Sequence, residues 1–81
     1  MAAVRERIRD ILHESGGLAV DPHGVDASAD LYALGLTSHA CVTVMLALED
    51  EFGVEFPDEA LDKSTFESIN SIEQVLTRIT A

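Results

Sequence analysis

The chain has 81 residues, with 15 Asp or Glu against five Lys or Arg, which gives a formal net charge of −10 and a pI of about 4.3. A chain of this length forms one small domain, here residues 1–81, and leaves little room for a deep enzymatic cleft. Nucleic acid and anionic membranes are bound through basic side chains, so the composition argues against both as partners. Partners should instead carry patches of Lys and Arg.

Cysteine content and hydropathy bear on the compartment. The single cysteine, Cys41, cannot form an internal disulfide, and no apolar run is long enough for a signal peptide or a membrane span. Apolar residues make up 47% of the chain, with only three Phe, one Tyr and no Trp, which is typical of a core built from aliphatic side chains. We therefore expect a cytoplasmic monomer that does not insert into membranes.

The N-terminal segment has helical periodicity. Apolar residues recur there at the spacing that places them on one face of a helix: Val4, Ile8, Ile11 and Leu12. This helix should end near the run Ser15-Gly16-Gly17. Residues 16–37 are predicted to form a long loop because most of the glycines lie there. Such loops are uncommon unless they support a function, so apolar anchors should pin this one across the helices: Leu18, Val20, Val25, Leu31, Tyr32 and Leu34.

The second predicted helix runs from about Ser38 to Phe52. Thr37 or Ser38 can accept a hydrogen bond from a first-turn N–H, and Gly53 supplies the C-terminal stop. One apolar stripe on this helix is typical of a core face: Cys41, Met45, Leu48 and Phe52, with Val44 at its edge. Cys41 is therefore interpreted as a small buried apolar residue.

A second apolar stripe lies on another face of the same helix. Val42 and Leu46 are about 100° or more from the centre of the core stripe, close to His39. Isolated exposed aliphatic residues occur on any protein surface, which is the simpler interpretation. The alternative is a docking ridge, with an apolar anchor and a rim of acidic residues that steer a basic partner: Glu49, Asp50 and Glu55.

The C-terminal third predicts shorter elements. Residues 53–56 are predicted to be an extended connector, because a lone strand would lack a partner. Two capping-box patterns follow, Ser64-Thr65-Phe66-Glu67 and Ser71-Ile72-Glu73-Gln74, and predict a short third helix and a fourth. The fold class is therefore predicted to be all-α, with four helices.

Ser38 lies between a turn that contains Gly35 and the second helix, in a segment that has acidic residues but no Lys or Arg. No Lys or Arg occurs between Arg9 and Lys63, an interval that holds twelve Asp or Glu. A lone Ser at a helix start is normally only a cap. Its neighbours, however, form an extended pattern: Leu34-Gly35-Leu36-Thr37-Ser38-His39, then Ala47-Leu48-Glu49-Asp50-Glu51-Phe52-Gly53-Val54-Glu55-Phe56-Pro57-Asp58.

This pattern, residues 34–58, resembles the phosphopantetheine-attachment segment of acyl carrier proteins. The resemblance implies a complete carrier domain: a small four-helix bundle with a long loop between helices one and two and a short third helix. It implies that a phosphopantetheinyl transferase moves 4′-phosphopantetheine from coenzyme A onto the hydroxyl of Ser38. Candidate partner-binding residues then surround this serine and form the ridge: Thr37, His39, Val42, Leu46, Glu49, Asp50 and Glu55.

The function implied by the resemblance is to hold an acyl group as a thioester on the arm and present it to enzymes of fatty-acid, polyketide or specialised lipid synthesis. Small residues such as Ala47 would leave room for an aliphatic cargo inside the bundle. A discrete aminoacyl or peptidyl carrier, loaded by an amino acid-activating ligase, is the alternative. An unmodified acidic interaction module is an alternative of another class.

The sequence departs from the family pattern around the serine. Acidic residues that are common just before and along helix two are replaced here by Thr37, Ala40 and Thr43, and the usual Leu after the serine is His39. These changes remove charge that a general transferase would read. They favour a dedicated partner enzyme.

Neither a catalytic site nor a metal site is predicted. His39 points about 100° away from Ser38 on the helix, and no Asp or Glu is placed to orient its ring. His13, His23 and His39 show no metal-ligand spacing with Cys41. We therefore expect a carrier, not an enzyme, and no bound metal.

Overall fold

Three α-helices form the framework of the computed structural model, which describes residues 2–80 apart from the side chains of residues 2 and 3. They are α1 (Ala2–Ser15), α2 (Ser38–Phe52) and α3 (Ile69–Thr80), and α1 packs against both of the others. Three short 3₁₀ helices lie between them: Pro22–Gly24, Asp58–Ala60 and Lys63–Phe66. Residues 2–80 contain no strand, and none of their helices has the length and apolarity needed to cross a bilayer.

The end of α1 agrees with the sequence prediction. Its buried face contains Ile8, Ile11 and Leu12. The N–H of Gly16 donates to the carbonyl of Leu12 over 2.9 Å, and a Cβ added at Gly16 would lie 2.6 Å from that carbonyl oxygen. Since that approach is closer than a Cβ tolerates, a glycine is required where the helix ends.

The buried face of α2 is rotated from the predicted one. Val44 and Leu48 are fully buried, whereas Cys41 and Met45 are only half-buried. The interpretation of Cys41 as a buried core residue was therefore wrong. Val44 and Leu48 belong to the buried core, whereas Cys41 and Met45 line an open groove together with Leu61, Lys63 and Phe66.

The C-terminal end of α2 is set by a glycine, as predicted. Gly53 adopts the left-handed conformation with φ 64°, and both its N–H and that of Val54 point back to the carbonyl of Glu49. This arrangement satisfies a carbonyl that the helix would otherwise leave unpaired. Residues 54–57 then form the predicted extended connector.

The predicted short third helix is present only as a 3₁₀ helix, Lys63–Phe66. Its hydrogen bonds span three residues, as in Thr65 N–H to the carbonyl of Asp62, 3.0 Å. The next α-helix begins at Ile69, two residues before the predicted capping box, because Ser68 Oγ accepts from the N–H of Ser71 over 3.1 Å. Too few residues separate the 3₁₀ helix Lys63–Phe66 from the Ser68 cap of the next helix for another α-helix to form.

Residues 16–37 are tied to the helices throughout. The N–H of Leu31 donates to the carbonyl of Glu67 (2.8 Å), and the N–H of Asn70 donates to the carbonyl of Ala27 (3.0 Å). The guanidinium of Arg9 donates to two carbonyls of the segment, each over 2.6 Å. These bonds, with the buried side chains of Leu31 and Leu36, fix the position at which the chain enters α2.

Candidate functional site

Ser38 is the first residue of α2, and its hydroxyl is not used to cap the helix. Thr37 is the N-cap: its Oγ1 accepts from the N–H of Ala40 over 3.0 Å. Ser38 is exposed, and its hydroxyl makes no hydrogen bond within residues 2–80. The sequence left open which of the two residues caps the helix, and the structure assigns the cap to Thr37.

The turn before Ser38 explains why this serine is held in place. The N–H groups of Leu34 and Leu36 both donate to the carbonyl of Leu31 over 3.0 Å. Gly35, between them, has φ 111°, a conformation that side chains rarely adopt, and a Cβ there would contact the backbone N of Ala19 at 3.5 Å. Buried Leu31 and Leu36 anchor the turn, so Thr37 and Ser38 emerge at a fixed point on the surface.

An open groove of about 580 Å³ begins at Ser38 and runs between α2 and the segment of residues 61–66. Its lining is mostly apolar: Tyr32, Leu36, Thr37, Ser38, Cys41, Val42, Met45, Leu61, Asp62, Lys63 and Phe66. Ala47, the residue suggested to leave room for a cargo, is not part of this lining. The groove gives any group attached at Ser38 an apolar surface within reach.

One wall of the groove is organised around Tyr32. Its hydroxyl donates to the carbonyl of Lys63 over 2.8 Å and accepts from the thiol of Cys41 at 3.6 Å. Burial, followed by the hydrogen bond with Cys41, raises the pKa of Tyr32 above its ordinary value. The ammonium of Lys63 lies 5.2 Å from the centre of the Tyr32 ring. Sequence reasoning missed Tyr32 and Lys63 as site residues, because their meeting depends on tertiary packing.

The ridge predicted on α2 is exposed. Val42 and Leu46 keep 53% and 55% of their surface accessible, more than the other exposed large apolar residues described, Leu61 at 50% and Val20 at 43%. Ser38, Val42 and Leu46 follow one another at intervals of four residues and therefore share one side of α2. A partner that contacts this side would meet Ser38 and both aliphatic residues together.

The acidic residues near the end of α2 differ in their availability. Glu49 is half-buried, and its Oε2 accepts from the N–H of Phe56 over 2.8 Å. Glu51 is paired in a fork with Arg7, at 2.6 and 3.0 Å, which lowers the pKa of Glu51. Asp50 and Glu55 are exposed and form no ion pair within residues 2–80. Both can therefore interact with an external cation.

His39 has no catalytic surroundings. It is exposed, and its ring makes no hydrogen bond or ion pair among the residues described. Its carbonyl accepts a long hydrogen bond, 3.5 Å, from Thr43 Oγ1. Ser38 therefore has an accessible hydroxyl that makes no hydrogen bond to a potential base within residues 2–80.

Comparisons with known proteins identify the family of the chain. The family described as "Phosphopantetheine attachment site" matches residues 2–79. An aminoacyl carrier protein of Agrobacterium fabrum is 43% identical over 72 residues, which cover 89% of this chain and 87% of that protein.

Solved structures are also similar. One is a carrier protein from Agrobacterium tumefaciens in complex with an engineered Bradyrhizobium japonicum glycine:[carrier protein] ligase and ATP, with a TM-score of 0.90 and 41% identity over 94% of this chain and 99% of that one. Another is a glycylated carrier protein bound to the Bradyrhizobium japonicum ligase, with a TM-score of 0.77 and 26% identity over 90% and 97%.

The residues present fit the cofactor of this family. A phosphopantetheine arm needs an accessible hydroxyl and space around it, and the structure presents the free hydroxyl of Ser38 at the mouth of an apolar groove. A match to the family over almost the entire chain, together with the 43% identity to a curated carrier, establishes the relationship. The chain therefore belongs to the phosphopantetheine attachment-site family and is a carrier protein whose cofactor is 4′-phosphopantetheine.

Proposed function

We propose that the chain carries an aminoacyl group on a 4′-phosphopantetheine arm attached to Ser38, and that an amino acid-activating ligase loads it. The attachment site is supported mainly by the exposed hydroxyl of Ser38. This hydroxyl is free because Thr37, not Ser38, caps the helix. The aminoacyl cargo is supported by the Agrobacterium relative and by the carriers solved with a glycine ligase.

The start of α2 is suited to a phosphodiester. The first N–H groups of a helix lack partners within it, and the helix dipole places partial positive charge there. Thr37 occupies the N–H of Ala40 only. A phosphate joined to Ser38 Oγ would lie close to the remaining donors, in a part of α2 that contains no acidic side chain. Lys63 and Asp62 both lie in the wall of the same groove, so the side chains there add no net charge and the helix N–H groups supply the attraction.

Ser38 requires an external enzyme for its modification. The hydroxyl makes no hydrogen bond to a base within residues 2–80, so we infer that the phosphopantetheinyl transferase takes up its proton as Ser38 Oγ attacks the phosphate of coenzyme A and the adenosine bisphosphate leaves. The arm, once attached, supplies a thiol that holds the cargo as a thioester. The chain itself supplies the anchor, the groove and the surface that partners recognise, and we propose no catalytic activity for it.

The side of α2 that continues from Ser38 is the proposed partner surface. Val42 and Leu46 form its apolar part, Thr37 and His39 flank the attachment point, and the acidic end carries Glu49, Asp50 and Glu55. Apolar anchors surrounded by charge are typical of interfaces in which charge steers association and apolar contact holds it. Ligase and transferase should both present basic residues opposite the acidic end. Because coenzyme A and ATP are their substrates, we place this monomeric carrier in the cytoplasm.

The attachment site is tested by intact mass. The purified chain is incubated with coenzyme A, Mg²⁺ and a broad-specificity phosphopantetheinyl transferase, beside Ser38→Ala and, as a matched control, Ser28→Ala. Ser28 is also exposed, and its hydroxyl donates to Asp26. We expect one phosphopantetheine on the unaltered chain and on Ser28→Ala, and none on Ser38→Ala. A gain that persists in Ser38→Ala would refute the assignment.

The cargo is tested in a second step. The modified carrier is incubated with ATP, a mixture of amino acids and a glycine:[carrier protein] ligase, and separately with malonyl-coenzyme A and an acyltransferase. An aminoacyl mass gain that hydroxylamine removes is the expected result. Loading by the acyltransferase alone would support the second candidate, an acyl carrier, which the apolar lining of the groove would also suit. An unmodifiable chain would instead be an acidic interaction module.

A further inference from the structure

Two histidines that are distant in the sequence meet at the end of α1. His13 lies in the last turn of α1 and His23 lies in the 3₁₀ helix Pro22–Gly24, with their ring centres 5.6 Å apart. Asp21, the cap of that 3₁₀ helix, stands between them: its Oδ1 lies 2.8 Å from His23 Nδ1 and 3.9 Å from His13 Nδ1. The spacing in the sequence did not predict this cluster, because the intervening loop folds back onto α1.

The ligand atoms of this cluster are close enough to share an ion. One nitrogen or oxygen from each of His13, Asp21 and His23 lies within 4.8 Å of the others. Around a tetrahedral Zn²⁺, with bonds of about 2.0–2.2 Å, such atoms are about 3.4 Å apart. All three side chains are exposed, so rotation about their side-chain torsions can bring the ligand atoms from the observed separations to this shorter spacing.

A carboxylate outside the cluster already orients one ligand. The Nε2 of His23 lies 2.7 Å from Oδ1 of Asp10, one helical turn before His13 on α1. Metal-binding histidines usually donate their second ring N–H to such a carboxylate, which fixes the ring and makes the other nitrogen a better ligand. Asp10 leaves Nδ1 of His23 facing Asp21 and His13.

We propose that His13, Asp21 and His23 form a binding site for a divalent transition-metal ion such as Zn²⁺, with Asp10 as the positioning residue for His23. Two imidazoles and one carboxylate are a ligand set that zinc uses in sites with three protein ligands, and they leave the fourth coordination position for water. Two of the three ligands, His13 and Asp21, also line a surface depression of about 280 Å³. Because a histidine nitrogen must be deprotonated to bind a metal, the affinity should increase with pH.

The site would join α1 to the first part of the long segment that leads to Ser38. The same junction is already held by Arg9, which donates to the carbonyls of Pro22 and Val25. An ion that binds only the folded arrangement stabilises it by mass action. The expected consequence is a rise of the melting temperature with Zn²⁺ concentration, independent of the arm.

Zn²⁺ titration by calorimetry and thermal unfolding tests the proposal. The full chain and Ser38→Ala are titrated side by side, which excludes the thiol of the arm as the ligand. We expect one equivalent bound in both, and an affinity lower by roughly tenfold or more in His13→Gln and in His23→Gln. Asp10→Asn should lower it by roughly 10- to 100-fold. His39→Gln, an exposed histidine outside the cluster, is the matched control and should bind as the unaltered chain does.

Two outcomes would overturn the proposal. Equal affinity in His13→Gln, His23→Gln and the unaltered chain would show that Zn²⁺ binds elsewhere. Several weak equivalents, displaced equally by Ca²⁺, would show general binding to the acidic surface. His13 Nδ1 is 3.9 Å from Asp21 Oδ1, too far for a hydrogen bond, so His13→Gln should leave the fold intact. The amide NMR spectrum of this variant without metal tests whether it is folded.

Discussion

Replacing Thr37 or Ser38 with alanine should have opposite consequences, although the two residues are adjacent. Thr37 Oγ1 accepts from the N–H of Ala40 over 3.0 Å, while the hydroxyl of Ser38 makes no hydrogen bond within residues 2–80. Thr37→Ala therefore removes a helix cap and leaves the Ser38 hydroxyl in place. Ser38→Ala removes the proposed attachment site and leaves the cap.

The magnitudes follow from these contacts. Loss of an N-cap costs about 0.5–2 kcal/mol, and the exposure of Thr37 favours about 1 kcal/mol, because water can replace part of the bond. For a domain of this size, about 1 kcal/mol lowers the melting temperature by roughly 4–8 °C. Ser38→Ala should change the free energy of unfolding by no more than about 0.5 kcal/mol, since an exposed serine is exchanged for a better helix former.

Thermal unfolding followed by circular dichroism measures both variants, and intact mass after transferase treatment measures modification. Thr37→Ala should melt lower and still be modified, whereas Ser38→Ala should melt like the unaltered chain and remain unmodified. Thr37→Ser, which keeps a capping hydroxyl, is the control for the first variant. A drop in melting temperature confined to Ser38→Ala would show that Ser38 is the cap, and the argument for a free hydroxyl would fail.

Three further predictions concern the ridge, the core and the histidine cluster. Asp50→Lys should weaken ligase binding without changing the melting temperature, and the loss should shrink as salt is added; a salt-independent loss would contradict steering. Leu48→Ala should lower the free energy of unfolding by about 2–5 kcal/mol, measured by urea titration, because this side chain is fully buried. The carboxylates of Asp10 and Asp21 raise the pKa of His23 above its ordinary value of 6.5. Protonated His23 therefore stabilises the fold fully below pH 6.5, and this stabilisation is lost as the pH rises through the raised pKa. The imidazole of His23 lowers the pKa of Asp10, and the backbone N–H of His23 followed by the imidazole lowers the pKa of Asp21, so the effect also disappears in acid. In thermal unfolding without metal, His23→Gln should therefore lose most stability between the lowered pKa values of the carboxyl groups and the raised pKa of His23. A loss of stability that did not change with pH would refute the pairing.

The features that the sequence predicted well are those determined by neighbouring residues. Both ends of α2 depend on local chemistry: a hydroxyl before the first turn and a glycine able to adopt positive φ after the last. The all-helical class followed from apolar periodicity. Even the exposed positions of Val42 and Leu46 followed from angles around one helix. None of these predictions required knowledge of what packs against the helix.

Features created by tertiary contact were not predictable in this way. The direction of the core face of α2 depends on how the other elements pack around it, and in the structure Val44 is buried while Cys41 lines a groove. The use of Glu49 to hold the N–H of Phe56 depends on the path of the connector. His13 and His23 meet only because the loop after α1 turns back. In each case the sequence gives the residue type but not its neighbour.

The distribution of free charge along α2 indicates how a partner must dock. Glu49 and Glu51 lie at the acidic end but are engaged by Phe56 and Arg7, which leaves Asp50 as the free acid of this helix end. Asp50 is twelve residues from Ser38, or about 18 Å along the helix at 1.5 Å per residue. A partner that contacted only Asp50 would lie about 18 Å from Ser38 along the helix. The apolar side chains of Val42 and Leu46 occupy the interval, so contact with them must align the partner with Ser38 after charge has brought it near.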